Sequence, residues 1–116
     1  MDGADTVTPF KSGTVKYQFV NGNHSATFTT QAATFILSVT GYANASGKPS
    51  ISISGLTSKT ALTSQAGNKD PSATYGYTYG ILYSCKATVG KSITVSVTNQ
   101  YSNSSPRLFV GVFYSV

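Results

Sequence analysis

The sequence predicts an all-β fold: an antiparallel β-sandwich of seven or eight strands with jelly-roll or Greek-key connections. Three observations carry the prediction: a hydroxyl-rich composition, period-two alternation along most of the 116 residues, and turn residues between the alternating runs. Thr favours strands because its branched Cβ fits a pleated surface, and dense Ser disfavours helices. With 17 Ser, 16 Thr and no Glu, the chain draws its polarity from hydroxyls.

Five runs alternate between apolar and polar, mostly hydroxyl-bearing, residues, and each is predicted as a strand with one face in the core. Their apolar positions are Val15, Tyr17 and Phe19; Phe28; Phe35, Leu37 and Val39; Ile51 and Ile53; and Ile93, Val95 and Val97. A further short strand is expected near Lys59–Thr63, whereas the rest of 55–73 is expected to be a polar loop. The turn signals are Asn21-Gly22-Asn23, Gly41, Gly47-Lys48-Pro49, Gly55, Asp70-Pro71, Gly90-Lys91 and Ser105-Pro106.

Two later runs, Thr74–Lys86 and Leu108–Val116, are apolar on both faces. Such a strand is either central in its sheet or covered by another subunit. In the last run one face carries Leu108, Val110, Val112, Tyr114 and Val116, and the other carries Phe109 and Phe113. We expect Phe109, Phe113 and Tyr114 to contribute to an interface between subunits.

An aromatic ladder occupies one face of Thr74–Lys86, with Tyr75, Tyr77 and Tyr79 two residues apart. Three interpretations stay open: packing in the core, which the residue types favour, a subunit interface, or a platform on which a ligand stacks. The candidate ligand-binding residues are therefore these three tyrosines, together with Tyr101 and Arg107 from a polar loop.

The chain is expected to form one domain over residues 13–116, preceded by an arm, residues 1–12, that docks on a neighbouring chain. The opening sequence, MDGADTVTPF, has no apolar run typical of a signal peptide, and no apolar run approaches 18 residues. We therefore expect neither a signal peptide nor a membrane-spanning segment.

Catalysis, metal binding and nucleic-acid binding are all disfavoured by composition. The acids are three Asp, the sole His is His24 and the sole Cys is Cys85, so no disulfide, metal site, cofactor site or catalytic residue is predicted. The net charge of +5 arises from scarce acids, and the bases are dispersed rather than clustered. We expect a protein that is not an enzyme and that binds no nucleic acid and no membrane.

Two segments resemble bacteriophage tail-fibre and tail-tip domains: Ser25–Gly41, SATFTTQAATFILSVTG, and Ala87–Val97, ATVGKSITVSV. The final run, LFVGVFYSV at Leu108–Val116, is similar to the last strand of trimeric tumour-necrosis-factor-like jelly rolls. Both resemblances imply a small domain on a virion or extracellular surface that forms a homo-oligomer, with a trimer favoured. The implied function is that of a virion structural protein, in a capsid decoration, a fibre tip or a tail, whose partners are its own copies and other virion proteins. The alternative is a lectin-like module that binds a carbohydrate or receptor, such as a host-surface glycan.

Overall fold

The computed structural model of the protein describes residues 14–43, 48–72, 76–98 and 107–115. These residues form two antiparallel sheets that pack against each other as a β-sandwich, which confirms the predicted fold class. The described strands are β1 (Val15–Gly22), β2 (Ser25–Thr29), β3 (Thr34–Ala43), β4 (Ser50–Ser54), β5 (Ser58–Ala61), β6 (Ala66–Lys69), β7 (Tyr77–Lys86), β8 (Ser92–Thr98) and β9 (Arg107–Ser115). The predicted arm at residues 1–12 lies outside the described residues.

The large sheet has the strand order β1-β9-β3-β7, with β5 and β6 both paired to the outer side of β7. The small sheet has the order β2-β8-β4. Apart from β5 and β6, successive strands alternate between the two sheets, so each connection crosses the sandwich. Because β5 and β6 join the large sheet, the small sheet has three described strands, and the jelly-roll type stays a prediction.

The strand count differs from the expected seven or eight because the described edge of the large sheet is split in two. The short strand expected near Lys59–Thr63 is present as β5, whereas β6 falls in the stretch that we predicted to be loop. Its sequence, AGNK, does not alternate. It forms a strand because pairing with Tyr77–Gly80 gives hydrogen-bond partners to the backbone groups on the outer edge of β7. The paired residues are only 8 to 14 positions apart, but AGNK lacks the alternation that would have predicted a strand there.

The core lies between the sheets and is filled mainly by the predicted alternating residues. In β3, Phe35, Leu37 and Val39 are buried, and in β8 Ile93, Val95 and Val97 are buried. Phe28 from the small sheet meets Phe35 from the large sheet edge to face, with ring centroids 5.8 Å apart. The two-faced runs are interior strands, since β7 lies between β3 and the β5/β6 edge and β9 lies between β1 and β3.

Strand β1 contradicts the predicted core. Val15, Tyr17 and Phe19 point away from the small sheet and are 51%, 64% and 65% exposed. The inner side of β1 carries Lys16, Gln18 and Val20 instead, because Gln18 and Val20 pair with the buried Val112 and Val110.

The reversed facing of β1 agrees with the position of Gly22, where the chain passes from β1 in the large sheet to β2 in the small sheet. A Cβ at Gly22 would collide with the backbone of Ser25, so Gly22 is the residue that faces the crossing. Every second residue before it must then face inward, since a one-residue shift exchanges the two faces of a strand.

No helix long and apolar enough to cross a bilayer occurs in the part of the chain described here.

Candidate functional site

The strongest candidate for a functional surface is the outward side of the large sheet. We call it the aromatic face and define it by Val15, Tyr17 and Phe19 on β1 and Phe109 and Phe113 on β9. Register places Tyr17 opposite Phe113, Phe19 opposite Gly111 and Asn21 opposite Phe109, so these side chains share one side of two adjacent strands. Interior packing does not account for them, because the small sheet covers the other side.

The rings of the aromatic face form a continuous cluster. Tyr17 and Phe19 lie 5.0 Å apart between centroids, and Phe19 meets Phe113 edge to face at 5.8 Å. Both phenylalanines lie over Gly111, where an added Cβ would be 3.0 Å from Phe113 Cε2 and 3.2 Å from Phe19 Cε1. The missing side chain therefore lets two rings rest on the backbone of β9.

A groove of about 250 Å³ separates Phe109 from the Phe19–Phe113 cluster. Rings and aliphatic side chains line most of it, and Asn21, Ser38 and Thr40 contribute polar groups. A second groove of about 250 Å³ lies on the other side of Phe109 and is lined by Asn21, Gly22, Asn23, Arg107 and Phe109. The surface is thus apolar on one side of Phe109 and polar and cationic on the other.

The aromatic face is large for a protein of this size. Tyr17 and Phe19 expose about two thirds of their surface and Phe109 about half. With roughly 150–250 Å² per aromatic side chain, the three rings present roughly 350 Å² to solvent. Contiguous apolar patches of roughly 300–600 Å² are the largest on typical monomers and are often functional.

The structure describes two of the three tyrosines in the predicted ladder, Tyr77 and Tyr79, and both point to the inner side of β7. Tyr79 is 5% exposed, and its hydroxyl donates to the Arg107 carbonyl oxygen at 3.0 Å. Burial raises the pKa of Tyr79 to about 12, so the hydroxyl stays a donor at neutral pH. Tyr77 is half-buried on the same inner side of β7, and Tyr75 lies outside the described residues. The ring of Tyr79 thus packs in the core and is not presented to a ligand.

The other predicted site residues lie near the two grooves or opposite them. Arg107 is exposed in the polar groove, and Tyr101 lies outside the described residues. Phe109 is 47% exposed and Phe113 is half-buried, both on the aromatic face. Tyr114 is buried at 8% exposure on the inner side of β9, so its ring belongs to the core instead of an outward interface.

The sequence analysis missed three members of the aromatic face: Val15, Tyr17 and Phe19. Their alternation with Lys16 and Gln18 is the ordinary signature of a half-buried strand, and it does not reveal which face is buried. Gly22 offered one signal, because a Cβ at this position would collide with the backbone of Ser25 and its side of β1 is the inward one.

Local structure explains the shifted pKa values of Cys85 and Asp70. Cys85 is 1% exposed, and burial raises its pKa to about 12, which keeps the thiol protonated. Ser72 Oγ and the Ser72 backbone N–H donate to Asp70 Oδ1 at 2.7 and 2.9 Å, and these bonds lower the pKa of Asp70 within a local turn. Within 14–43, 48–72, 76–98 and 107–115, no three His, Cys, Asp or Glu side chains gather closely enough to hold a metal ion.

Comparison with protein-family models, with curated proteins and with solved structures found no match to this chain.

Proposed function

We propose that this chain is a structural β-sandwich domain of a virion, part of a capsid decoration, a fibre tip or a tail, and that it acts by self-assembly and by docking on other virion proteins. The observation that carries the association is the aromatic face, where Tyr17, Phe19 and Phe109 remain exposed in the single chain. The location on a virion rests on the resemblance of Ser25–Gly41 and Ala87–Val97 to phage tail domains.

Exposure of these rings favours association because covering them removes apolar area from water. Each ring that loses roughly 80 Å² of exposed surface contributes about 2 kcal/mol at 25 cal/mol per Å². Phe and Tyr are also among the residues enriched at protein interfaces. The middle of the face carries hydroxyls and rings, so a partner there desolvates few charges, and Arg107 stands at one end.

The experiment is a measurement of native mass by sedimentation equilibrium, for the wild-type chain and for Phe19→Ser and Phe109→Ser. We expect an oligomer that dissociates roughly 30-fold more readily for each ring removed from its contact, the equivalent of about 2 kcal/mol. Leu62→Ser is the matched control, because Leu62 is 46% exposed, like Phe109 at 47%, but lies between β5 and β6 at the opposite edge of the large sheet. A wild-type chain that is a monomer, with no affinity for virion proteins, would contradict the proposal.

A second candidate function, recognition of a host-surface glycan, is favoured by the two grooves beside Phe109. They combine ring walls with polar side chains of Ser38, Thr40 and Asn21, and a sugar offers both apolar C–H faces and hydroxyls. A glycan array tests this function, and binding that is lost in Phe109→Ser and retained in Leu62→Ser supports it. An array with no bound glycan excludes it.

A further inference from the structure

The two edges of the large sheet are built differently. The edge beyond β7 consists of β5 and β6, four residues each, with an interruption at 62–65. There the Leu62 N–H donates to the Leu82 carbonyl oxygen at 2.8 Å, and Thr63 Oγ1 accepts from the Leu82 N–H at 3.2 Å. Short strands, an irregular segment and lysines such as Lys59 and Lys69 are devices that keep an edge from pairing with another chain.

The edge at β1 has little of this protection. All eight residues of Val15–Gly22 pair with β9 without a bulge, from Val15 opposite Ser115 to Gly22 opposite Leu108. No strand of the described residues pairs with the other side of β1. The strand contains no Pro, and Lys16 is its one charged residue. Its outer N–H and C=O groups form a regular row that matches an added strand.

The geometry of β1 points to a second copy of the same strand as the occupant. An antiparallel pair related by a two-fold axis perpendicular to the sheet keeps outward side chains outward in both copies. Two residues that lie opposite each other must then point to the same side of the sheet. This requires one residue to lie opposite its own copy, with the axis between them. Within Val15–Gly22, axes at Gln18 and at Phe19 each allow seven residue pairs, and other axes allow fewer.

The axis at Gln18 fits the side chains better. It places Tyr17 opposite Phe19 of the second copy, twice, and such aromatic pairs are among the stabilising cross-strand combinations. It places Lys16 opposite Val20, so the two lysines do not face each other. The axis at Phe19 would instead place Tyr17 opposite Asn21 and Lys16 opposite Gly22.

Gln18 supplies a separate observation. Its Oε1 atom is buried and has no hydrogen-bond partner among the described residues. A buried unpaired amide oxygen is costly, and a partner for it is expected. With the axis at Gln18, the two Gln18 side chains lie opposite each other, and turning them toward the edge allows each amide N–H to donate to the other's oxygen.

We propose that β1 pairs antiparallel with β1 of a second copy about a two-fold axis at Gln18, which joins the two large sheets into one. This inference rests on the proposed self-assembly and specifies its mode as a two-fold pair, in place of the trimer that the resemblances favour. Tyr17 and Phe19 meet the second copy, whereas Phe109 on β9 stays open to a further virion protein, so Phe109→Ser should leave the pair intact. It brings the two aromatic faces side by side on the same side of the joined sheet. The result is a single apolar surface of roughly twice the area, which a further virion protein can cover.

The test is disulfide crosslinking of Gln18→Cys under mild oxidation. Opposite residues in an antiparallel pair have Cα atoms about 4.5–5.5 Å apart, within the range that a disulfide spans. We expect the Gln18→Cys chain to give at least about tenfold more covalent dimer than the wild-type chain, whose Cys85 is buried with a raised pKa. Lys16→Cys and Val20→Cys should each crosslink poorly alone and well when mixed.

Hydrogen exchange on the wild-type chain provides a measurement that needs no substitution. Paired on both sides, β1 should show slow exchange at all its amides, whereas an open edge leaves alternate amides of 15–22 in fast exchange. Crosslinking at Phe19→Cys but not at Gln18→Cys overturns the proposed register. An assembly of three copies, or alternate fast amides in a confirmed oligomer, overturns the edge pairing while the self-assembly function stands. A monomer at all concentrations overturns both.

Discussion

Removing the Thr30 hydroxyl should cost the protein about 2–3 kcal/mol of its free energy of unfolding. Thr30 is 1% exposed, and its Oγ1 donates to the Thr88 carbonyl oxygen at 2.6 Å and accepts from the Lys91 N–H at 2.8 Å. The Thr30 backbone pairs with the same loop, donating to Lys91 O and accepting from Gly90 N–H, both at 2.9 Å. One side chain thus ties the β2–β3 connection to the β7–β8 connection.

The magnitude follows from what Thr30→Val leaves behind. Valine keeps the shape of threonine but offers neither a donor nor an acceptor. A buried polar group left unpaired costs about 1–3 kcal/mol. The Lys91 N–H retains a longer bond to Thr88 O, 3.3 Å, so the loss is less than two full penalties. For a domain of this length, 2–3 kcal/mol corresponds to a fall in Tm of about 10 °C.

Urea denaturation followed by circular dichroism measures this loss, and two variants calibrate it. Thr29→Val alters the exposed neighbouring residue and should stay within about 0.5 kcal/mol of the wild type. Thr30→Ser keeps the hydroxyl and should lose about 1 kcal/mol for the missing methyl group. Equal stability of Thr30→Val and Thr29→Val would refute the reasoning, because the two hydrogen bonds would then contribute nothing.

Three further predictions concern the core and the aromatic face. Tyr79→Phe removes the hydrogen bond to the Arg107 carbonyl oxygen and should cost about 1 kcal/mol in the same urea assay; an unchanged unfolding midpoint contradicts it. The folded pKa of Cys85, about 12, lies above its ordinary value of 9.0, so the unfolded thiol ionises first and stability should fall as pH rises from 9 to 12. Cys85→Ala should make that fall shallower in urea titrations at each pH, most clearly between pH 9 and 10, because the raised pKa of Tyr79 also lowers stability above pH 10. An unchanged slope would count against the assignment. Gly111→Ala pushes the Phe113 ring off the backbone, so sedimentation should reveal weaker association while Tm stays within about 2 °C; loss of both together would show that Gly111 supports the fold itself.

The sequence predicted the core of the sandwich well, because the interior strands obey a simple rule. Leu37 and Val95 are buried where the alternation places them, since a strand between two neighbours in a sheet offers one side to the facing sheet. The two-faced pattern of Leu108–Val116 predicted a strand that is either central or covered by another subunit, and the structure places it inside the sheet with Phe109 turned outward. These features depend on spacing along one strand and need no knowledge of distant residues.

The sequence predicted only part of the aromatic face, because spacing along one strand does not show which of its two sides is buried. Phe109 and Phe113 were assigned to an interface from their own strand, but Tyr17 and Phe19 were assigned to the core. Deciding between the two sides of β1 requires its register with β9, which pairs residues more than 80 positions apart, such as Val20 and Val110. The burial of Tyr79 and Tyr114 likewise depends on which side of its strand faces the small sheet. The alternation alone is equally compatible with exposed tyrosines.

The sequence by itself therefore determined that this protein is a β-sandwich whose interior strands present aliphatic side chains to a common core. The tertiary structure alone decided, for the described residues, which side of β1 faces solvent, which aromatic rings are exposed, and which edge of the large sheet has no paired strand. The physical reason is that alternation with period two gives a strand two distinct faces but does not determine which of them is buried. The crossing at Gly22 and the pairing with β9 turn Tyr17 and Phe19 toward solvent.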